Sequence, residues 1–434
     1  MYYPSICVII EIKKNKCEKK DHESKKRKEK SMTILNQPLE FCGKTIPNRV
    51  VFQPMEGCDC REDGTPGELT IAKYMNAARS GAGIIWMEAN AVCPEGRTNK
   101  GQLMLTEENK DSFKKLLCDM REAAITECGI KPLIILQLTH SGRQSVIPMI
   151  AYRHPIYEEK RPVTDENIVS DEYLDTLPEK YVASALLARE VGFDGVDVKS
   201  CHGYLFQELL SAFTREGRYG GSFENRTRLY LNSVKEVISA VPEDFLVVTR
   251  LGLADMVPKP YGFGTDEDNN LDLTETDMLL SELVKLGIRM VNVTIGNPYY
   301  NPHINRPFRQ GAYQPPETPE TGLERFNTVE RHIKEKFPMI TLIGSGLSYY
   351  RQDLMQKAEE VIESKTADLV GFGRASIAYP MLFRDHLLGK FDFKKSCVAC
   401  SKCTVLMRNK CVSGCAVFNE YYKNLYKEKV LCQK

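Results

Sequence analysis

Residues 133–138 read Leu-Ile-Ile-Leu-Gln-Leu and residues 195–198 read Gly-Val-Asp-Val, with an amphipathic stretch at Pro178–Val191 between them. Runs this short and this continuously apolar fit strands buried on both faces. Working outward, the pattern recurs at Val50-Val51-Phe52, 83–87, 245–249, 290–295, 340–343 and 368–372, making eight runs in all. Helical segments separate them, at 69–79, 109–127, 226–241, 275–286, 324–336 and 350–363. In 226–241, Leu229, Ser233, Val237 and Val241 keep an i, i+4 stripe while Lys235 and Glu236 face away. Eight strand–helix units predict an α/β fold with a parallel sheet, closed most simply as a (β/α)8 TIM barrel. An open doubly wound sheet is the alternative. It would more often place a glycine fingerprint after its first strand, where Glu56-Gly57-Cys58-Asp59 stands instead.

The 434 residues are 42% hydrophobic and 27% charged, which excludes a disordered, collagenous or coiled-coil chain as a whole. A net charge of +1 supplies no field for nucleic acid. The run Ile6–Ile10 is too short to span a bilayer, so no membrane association is expected. Residues 1–31 read as a charged extension, because Lys13–Lys30 is nearly devoid of apolar side chains and mixes both signs of charge. Residues 32–392 read as the barrel and 393–434 as a cysteine-rich segment with a tail. Five of the fifteen cysteines crowd into that segment. Such crowding suits metal ligation in a reducing cytoplasm better than a disulfide framework.

Barrels of this kind place their chemistry at the strand C-termini. Those positions carry Pro54-Met55-Glu56, Gln137 with His140, Lys199 with His202, Arg250, Gly344 with Gly346, and Gly373 with Arg374. Glycines at the seventh and eighth ends let backbone N–H groups approach a phosphate, and Arg374 adds charge; the bland alternative is that they only permit tight turns.

These residues resemble the old yellow enzyme family of flavin oxidoreductases. The segment 195–205, Gly-Val-Asp-Val-Lys-Ser-Cys-His-Gly-Tyr-Leu, is similar to that family's fourth-strand motif, and Tyr219–Arg226 to its YGGSxENR signature. Gln137–Arg143 resembles QLxHxGR, and Asn48-Arg49-Val50-Val51 resembles NRxV. The resemblance implies bound FMN. Pro54 and Met55 would approach the flavin through backbone groups, Gln137 would bond its pyrimidine edge, and Arg250 would offset charge on the reduced ring. Gly344, Gly346, Gly373 and Arg374 would hold its phosphate. Lys199 and His202 stand where a His–His or His–Asn pair usually grips a substrate carbonyl, and Tyr204 stands at the family's proton donor. Lys199 departs from the pattern; its bland reading is a pair with a carboxylate such as Asp197, with Tyr204 simply packing. Glu56 departs too, where Thr or Cys is common. Its carboxylate would either bond the flavin or turn to a cation.

Cys397, Cys400, Cys403 and Cys415 give the spacing C-x2-C-x2-C-x11-C. The resemblance to the branch containing 2,4-dienoyl-CoA reductase, 2-enoate reductase and trimethylamine dehydrogenase implies a [4Fe-4S] cluster there. Its second interval is usually x3, so the extra Cys411 competes for the fourth place. Structural zinc is the alternative. The long loop 297–322, with Tyr299, Tyr300, His303, Phe308, Arg309 and Tyr313, reads as a lid or substrate wall, with simple packing on the rim as the alternative. The branch's further dinucleotide-binding region is not expected, because 19 residues follow Cys415. Electrons would then come from NAD(P)H in the barrel or from a partner protein through the cluster. The expected function is an FMN-dependent ene-reductase of small α,β-unsaturated carbonyl compounds, with homo-oligomerisation left open. An amine-type dehydrogenase and a non-catalytic electron-transfer subunit are the alternatives.

Overall fold

The computed structural model describes residues 33–308, 311 and 313–432. The charged extension 1–31 and Arg309 lie outside the described residues. Eight parallel strands close into a barrel in sequence order. They are β1 (Val50–Phe52), β2 (Ile84–Ala91), β3 (Leu133–Thr139), β4 (Gly195–Val198), β5 (Leu246–Gly252), β6 (Met290–Thr294), β7 (Thr341–Gly344) and β8 (Leu369–Phe372). All eight apolar runs are therefore strands, and closure by pairing of β8 with β1 excludes the open sheet.

The intervening helices are α1 (Glu68–Ala78), α2 (Lys110–Cys128), α3 (Leu177–Val191), α4 (Phe223–Ala240), α5 (Thr274–Leu286), α6 (Pro319–Lys336) and α7 (Leu354–Glu363). In α4 the stripe is as read, with Leu229, Ser233 and Val237 buried. Three helices start three or more residues away from the expected one; α4 begins at Phe223, where the Ser222 side chain accepts the Asn225 N–H. Helix α6 begins earlier, at Pro319, because the Thr318 side chain accepts the Thr321 N–H and proline suits the first helical position. Helix α7 begins later, because Arg351 takes a φ of 48° and breaks the preceding turn.

An N-terminal hairpin, Leu39–Phe41 with Lys44–Ile46, has no counterpart in the strand–helix reading. Phe41 and Ile46 pack against Val51, Ile84, Trp86, Leu133, Leu246 and Met290, which lie toward the strands' starts. The hairpin thus plugs the mouth opposite the strand C-termini, and each fully buried side chain there contributes about 1.5–3 kcal/mol. Strand β2 carries a bulge: Met87 pairs with Leu136 and Ala89 with Gln137, leaving Glu88 as the extra residue. The cysteine-rich segment folds back onto the C-terminal face. Ser413 N donates to Gly57 O at 2.6 Å, and Arg408 Nη2 to Pro298 O at 2.8 Å. No described helix is long and apolar enough to cross a membrane.

Candidate active site

Asp197 on β4 is fully buried beneath the C-terminal face. Its Oδ2 accepts from Gln137 Nε2 at 2.6 Å and Trp86 Nε1 at 2.9 Å, and its Oδ1 accepts the Arg250 backbone N–H at 2.7 Å. Burial still pushes its pKa up to about 6. One side chain therefore ties β2, β3 and β5 to β4 and orients both Gln137 and Arg250. Gln53, just past β1, and Asn292 on β6 make a reciprocal amide pair at 3.0 and 2.8 Å. Gly371 on β8 is glycine for this reason, since a Cβ there would meet Gln53 Nε2 at 1.9 Å.

Lys199 does not pair with Asp197. Its buried Nζ lies 3.7 Å from Glu56 Oε1 and 3.7 Å from the centre of the Tyr204 ring. Desolvation pulls the lysine's pKa down, and the Glu56 carboxylate opposes it. Tyr204 does more than pack: its hydroxyl donates to Glu56 Oε1 at 2.9 Å and lies 3.2 Å from the Tyr299 hydroxyl. Burial, then the Glu56 charge, raises its pKa well above the usual phenol range. Glu56 has thus turned to a cation and a phenol.

His202 and Gly203 both take a φ of 68°, a sharp double turn straight after β4. At Gly203 the turn requires glycine, because a Cβ would meet Asn297 Nδ2 at 2.2 Å. His202 Nε2 lies 3.4 Å from Thr294 Oγ1. Burial, with Arg250, Lys199 and Arg306 nearby, drives its pKa well below the ordinary histidine value.

Across the face, Gly346 (φ 87°) starts the turn after β7, and Gly373 caps the short helix Arg374–Ala378 after β8. Pro54 is buried, and Met55 reaches toward Gly373, where a Cβ would meet its sulfur at 3.1 Å. Gly344 opens instead toward Glu330 of α6, whose Oε1 accepts the Ser345 N–H at 2.9 Å and whose pKa burial pushes up to about 8. Three guanidiniums converge here with buried, unpartnered nitrogens: Arg250 Nε, Arg306 Nε and Arg374 Nη1. Among the described residues none of the three has a carboxylate within ion-pair distance. Unpaired buried cations beside glycine turns fit an anionic cofactor with a phosphate and a charge-accepting ring.

In the cysteine segment, Ala399 and Ser401 take φ values of 52° and 57°, winding 397–403 tightly. Cys397 Sγ accepts the Ala399 N–H at 3.3 Å, and burial raises the Cys415 thiol while the Val417 and Phe418 backbone pulls against it. Burial pushes Cys397 up to about 11 while Arg374 pulls against it. Cys411 Sγ instead donates to Asn409 O at 3.3 Å. Among the described residues, no three His, Cys, Asp or Glu side chains close around a single ion. Cys397, with its N–H bond and Arg374 nearby, suits thiolate ligation, and a four-iron cage is wider than one ion.

Several site residues were not singled out from the sequence. Trp86 and Asn292 look like ordinary strand residues, and Arg306 carries no local signal. Glu88 is visible only as a carboxylate in an apolar strand. It accepts from Gly57 N at 2.6 Å and is paired with Lys73 on α1, so it holds the loop that carries Glu56. The motif residues Arg143 and Arg226 are structural: Arg143 pairs with buried Glu208 at 2.5 Å, and Arg226 with Glu275 at 2.6 Å.

A flavin-type barrel is the class that this fold and site define. Residues 34–386 match the NADH:flavin oxidoreductase / NADH oxidase family, and the chain belongs to it. The expectation of an FMN-dependent oxidoreductase of old yellow enzyme type is met at that level. The chain is 27% identical over 365 residues to an NADH oxidase of Thermoanaerobacter brockii, covering 82% of this chain and 51% of that protein. It thus spans about half the length of that relative. It is also 27% identical over 351 residues to an NADPH dehydrogenase of Listeria welshimeri, covering 79% of this chain and 91% of the relative. Among solved structures, a 2-naphthoyl-CoA reductase in complex with 2-naphthoyl-CoA superimposes with a TM-score of 0.73 at 19% identity, over 91% of this chain and 58% of that one. Histamine dehydrogenase from Rhizobium sp. 4-9 does so with a TM-score of 0.66 at 20% identity, over 88% and 52%. At these identities the two structures speak for the fold alone.

Proposed function

We propose that the protein is an ene-reductase that adds hydride and proton across the C=C bond of a small α,β-unsaturated carbonyl compound. The observation that supports this best is the gathering of Lys199, His202 and Tyr204 around the end of β4, beside unpaired Arg250. FMN, when bound, would supply hydride chemistry, with NAD(P)H or a protein as the source of electrons. Gln137, Arg250 and the backbone at Pro54 and Met55 hold its ring, and Gly346, Gly373 and Arg374, with Gly344 behind them, hold its phosphate. Lys199 and His202 direct donors at the substrate oxygen, where enolate charge develops; such preorganised donors commonly contribute 10²–10³-fold each. Tyr204 gives the proton to the α-carbon. Cys397, Cys400, Cys403 and Cys415 are assigned to a [4Fe-4S] cluster that passes electrons to or from the barrel. Residues 32–392 make the flavin domain and 393–434 the cluster segment.

The test is an anaerobic preparation with flavin, iron, sulfide and zinc quantified on one sample, followed by reduction and titration. The expected result is stoichiometric FMN with iron and sulfide, and re-oxidation of the reduced protein by cyclohexenone but not by saturated ketones. Bleaching of the oxidised flavin by amines would support the dehydrogenase instead. Absence of flavin would support a non-catalytic subunit.

A further inference from the structure

Tyr204 has one phenolic proton, and in this structure that proton points at Glu56, 2.9 Å away. A proton committed to a carboxylate is not available to a substrate carbon. It becomes available when Glu56 is itself protonated and donates to the Tyr204 oxygen, leaving the Tyr204 proton free to point into the site. The rest of the arrangement suits that exchange. Tyr299 lies 3.2 Å from the Tyr204 hydroxyl on the other side, and the Lys199 ammonium lies 3.7 Å from the same Glu56 oxygen. Lys199 can therefore offset the carboxylate charge once the proton has left. The Glu56 side chain is 16% exposed whereas Tyr204 is buried, so Glu56 is the member of the pair in touch with solvent.

We propose that Glu56 is the proton reservoir of the site, acting through Tyr204 and refilling it at each turnover. The inference rests on the ene-reductase reading. The alkene receives two electrons as hydride at its β-carbon. As the α-carbon–hydrogen bond forms, the Tyr204 O–H bond breaks; the phenolate takes the Glu56 proton, and the Glu56 carboxylate takes one proton from hydronium or buffer acid in solvent, so one solvent proton is consumed per alkene reduced. No further oxidant or reductant is involved. The charged and titratable groups that face Glu56 are Lys199, Arg250, Tyr204, Tyr299, Cys58 and Cys201.

Glu56→Gln keeps the shape and a hydrogen bond but carries no acidic proton. In stopped-flow experiments, its re-oxidation by cyclohexenone should slow on the order of 10²–10⁴-fold, the range of general acid catalysis. The fall of wild-type rate with rising pH should vanish in this variant, and reduction by dithionite should be unchanged. Glu56→Asp, which retains an acid, should recover part of the rate. Independently of turnover, the Tyr204 resonance in ¹³C-tyrosine-labelled protein, assigned by its loss in Tyr204→Phe, should titrate at lower pH in Glu56→Gln, because a negative neighbour is gone. A Glu56→Gln protein with wild-type re-oxidation rate and pH profile overturns the proposal, as does an unmoved Tyr204 titration. If wild-type protein is not re-oxidised by any enone, the ene-reductase reading falls. The Tyr204 titration still decides whether Glu56 governs that phenol.

Discussion

Trp86 Nε1 donates to Asp197 Oδ2 at 2.9 Å inside the barrel, so the chain's one tryptophan reports on the carboxylate that joins four strands. Asp197→Asn keeps the volume but turns an N–H₂ group toward at least one of three donors. A buried donor left without an acceptor costs about 1–3 kcal/mol. Denaturant unfolding followed by Trp86 fluorescence should show a loss of that size. Because Gln137 and Arg250 lose their common anchor, FMN should also bind about tenfold more weakly, read by flavin fluorescence on titration of apoprotein. Unchanged stability would mean that the three hydrogen bonds contribute nothing net.

Lys199 sits in an unusual setting for an ammonium, over an aromatic face and at the outer limit of an ion pair. Lys199→Met keeps the length of the stem and removes the charge. The kcat/KM for enones should fall on the order of 10²–10³-fold, mostly in kcat, because the donor matters most when oxyanion charge has developed. Reduction by dithionite should be unaffected. A rise in KM with unchanged kcat would reassign Lys199 to ground-state binding.

Buried acids and bases set opposite pH slopes on stability. Burial raises Glu330 to about 8 and both Asp255 and Glu88 to about 7. A carboxyl raised on folding contributes stability that is full below its unfolded pKa and is lost as pH rises through the folded value. His140 and His154 are lowered, to about 4 and about 3, so their contribution is lost as pH falls below the unfolded histidine value. Above about pH 6.5 the histidines are silent and only the carboxyls act. Thermal stability should therefore decline between pH 6.5 and 8.5. Glu330→Gln, neutral throughout, should flatten part of that decline, on the order of 1–3 kcal/mol. Parallel wild-type and variant melting curves would exclude Glu330 as a contributor.

The barrel was legible because each strand is apolar on both faces, so the period is written eight times. The hairpin was not: Leu39–Phe41 and Lys44–Ile46 mix polar with apolar residues, so no continuous apolar run declares them, and tertiary packing selects them. Lys199, His202, Tyr204 and Arg250 could be picked out because they are polar residues at or just past strand ends. Their partners could not. The direction taken by Glu56 depends on where Tyr299 and Lys199 stand, which is set by three separate strand-end loops. From spacing alone Asp197 reads as a partner for Lys199, because residues two apart along a strand share a face. Its partners lie on neighbouring strands, fixed by register rather than by spacing. Arg306 and Arg408 meet at Pro298 O only because the cysteine segment returns to the loop after β6.

The two candidates for the fourth cluster ligand differ in what their sulfurs meet. Burial raises the Cys415 thiol, but the Val417 and Phe418 backbone pulls against it, and such backbone donors lower the cost of a thiolate. Cys411 donates to Asn409 O at 3.3 Å, a bond that exists only while the thiol keeps its proton. Cys415→Ser should therefore lose the cluster along with Cys397→Ser, Cys400→Ser and Cys403→Ser, whereas Cys411→Ser should retain it. Iron and sulfide per FMN, with the electron paramagnetic resonance signal of dithionite-reduced protein, measure this directly. The flavin should stay bound in all five variants, because the barrel core does not depend on these side chains. Iron retained in Cys415→Ser and lost in Cys411→Ser would reverse the assignment. One zinc per chain in place of iron and sulfide would make the segment a structural clip with no part in electron transfer.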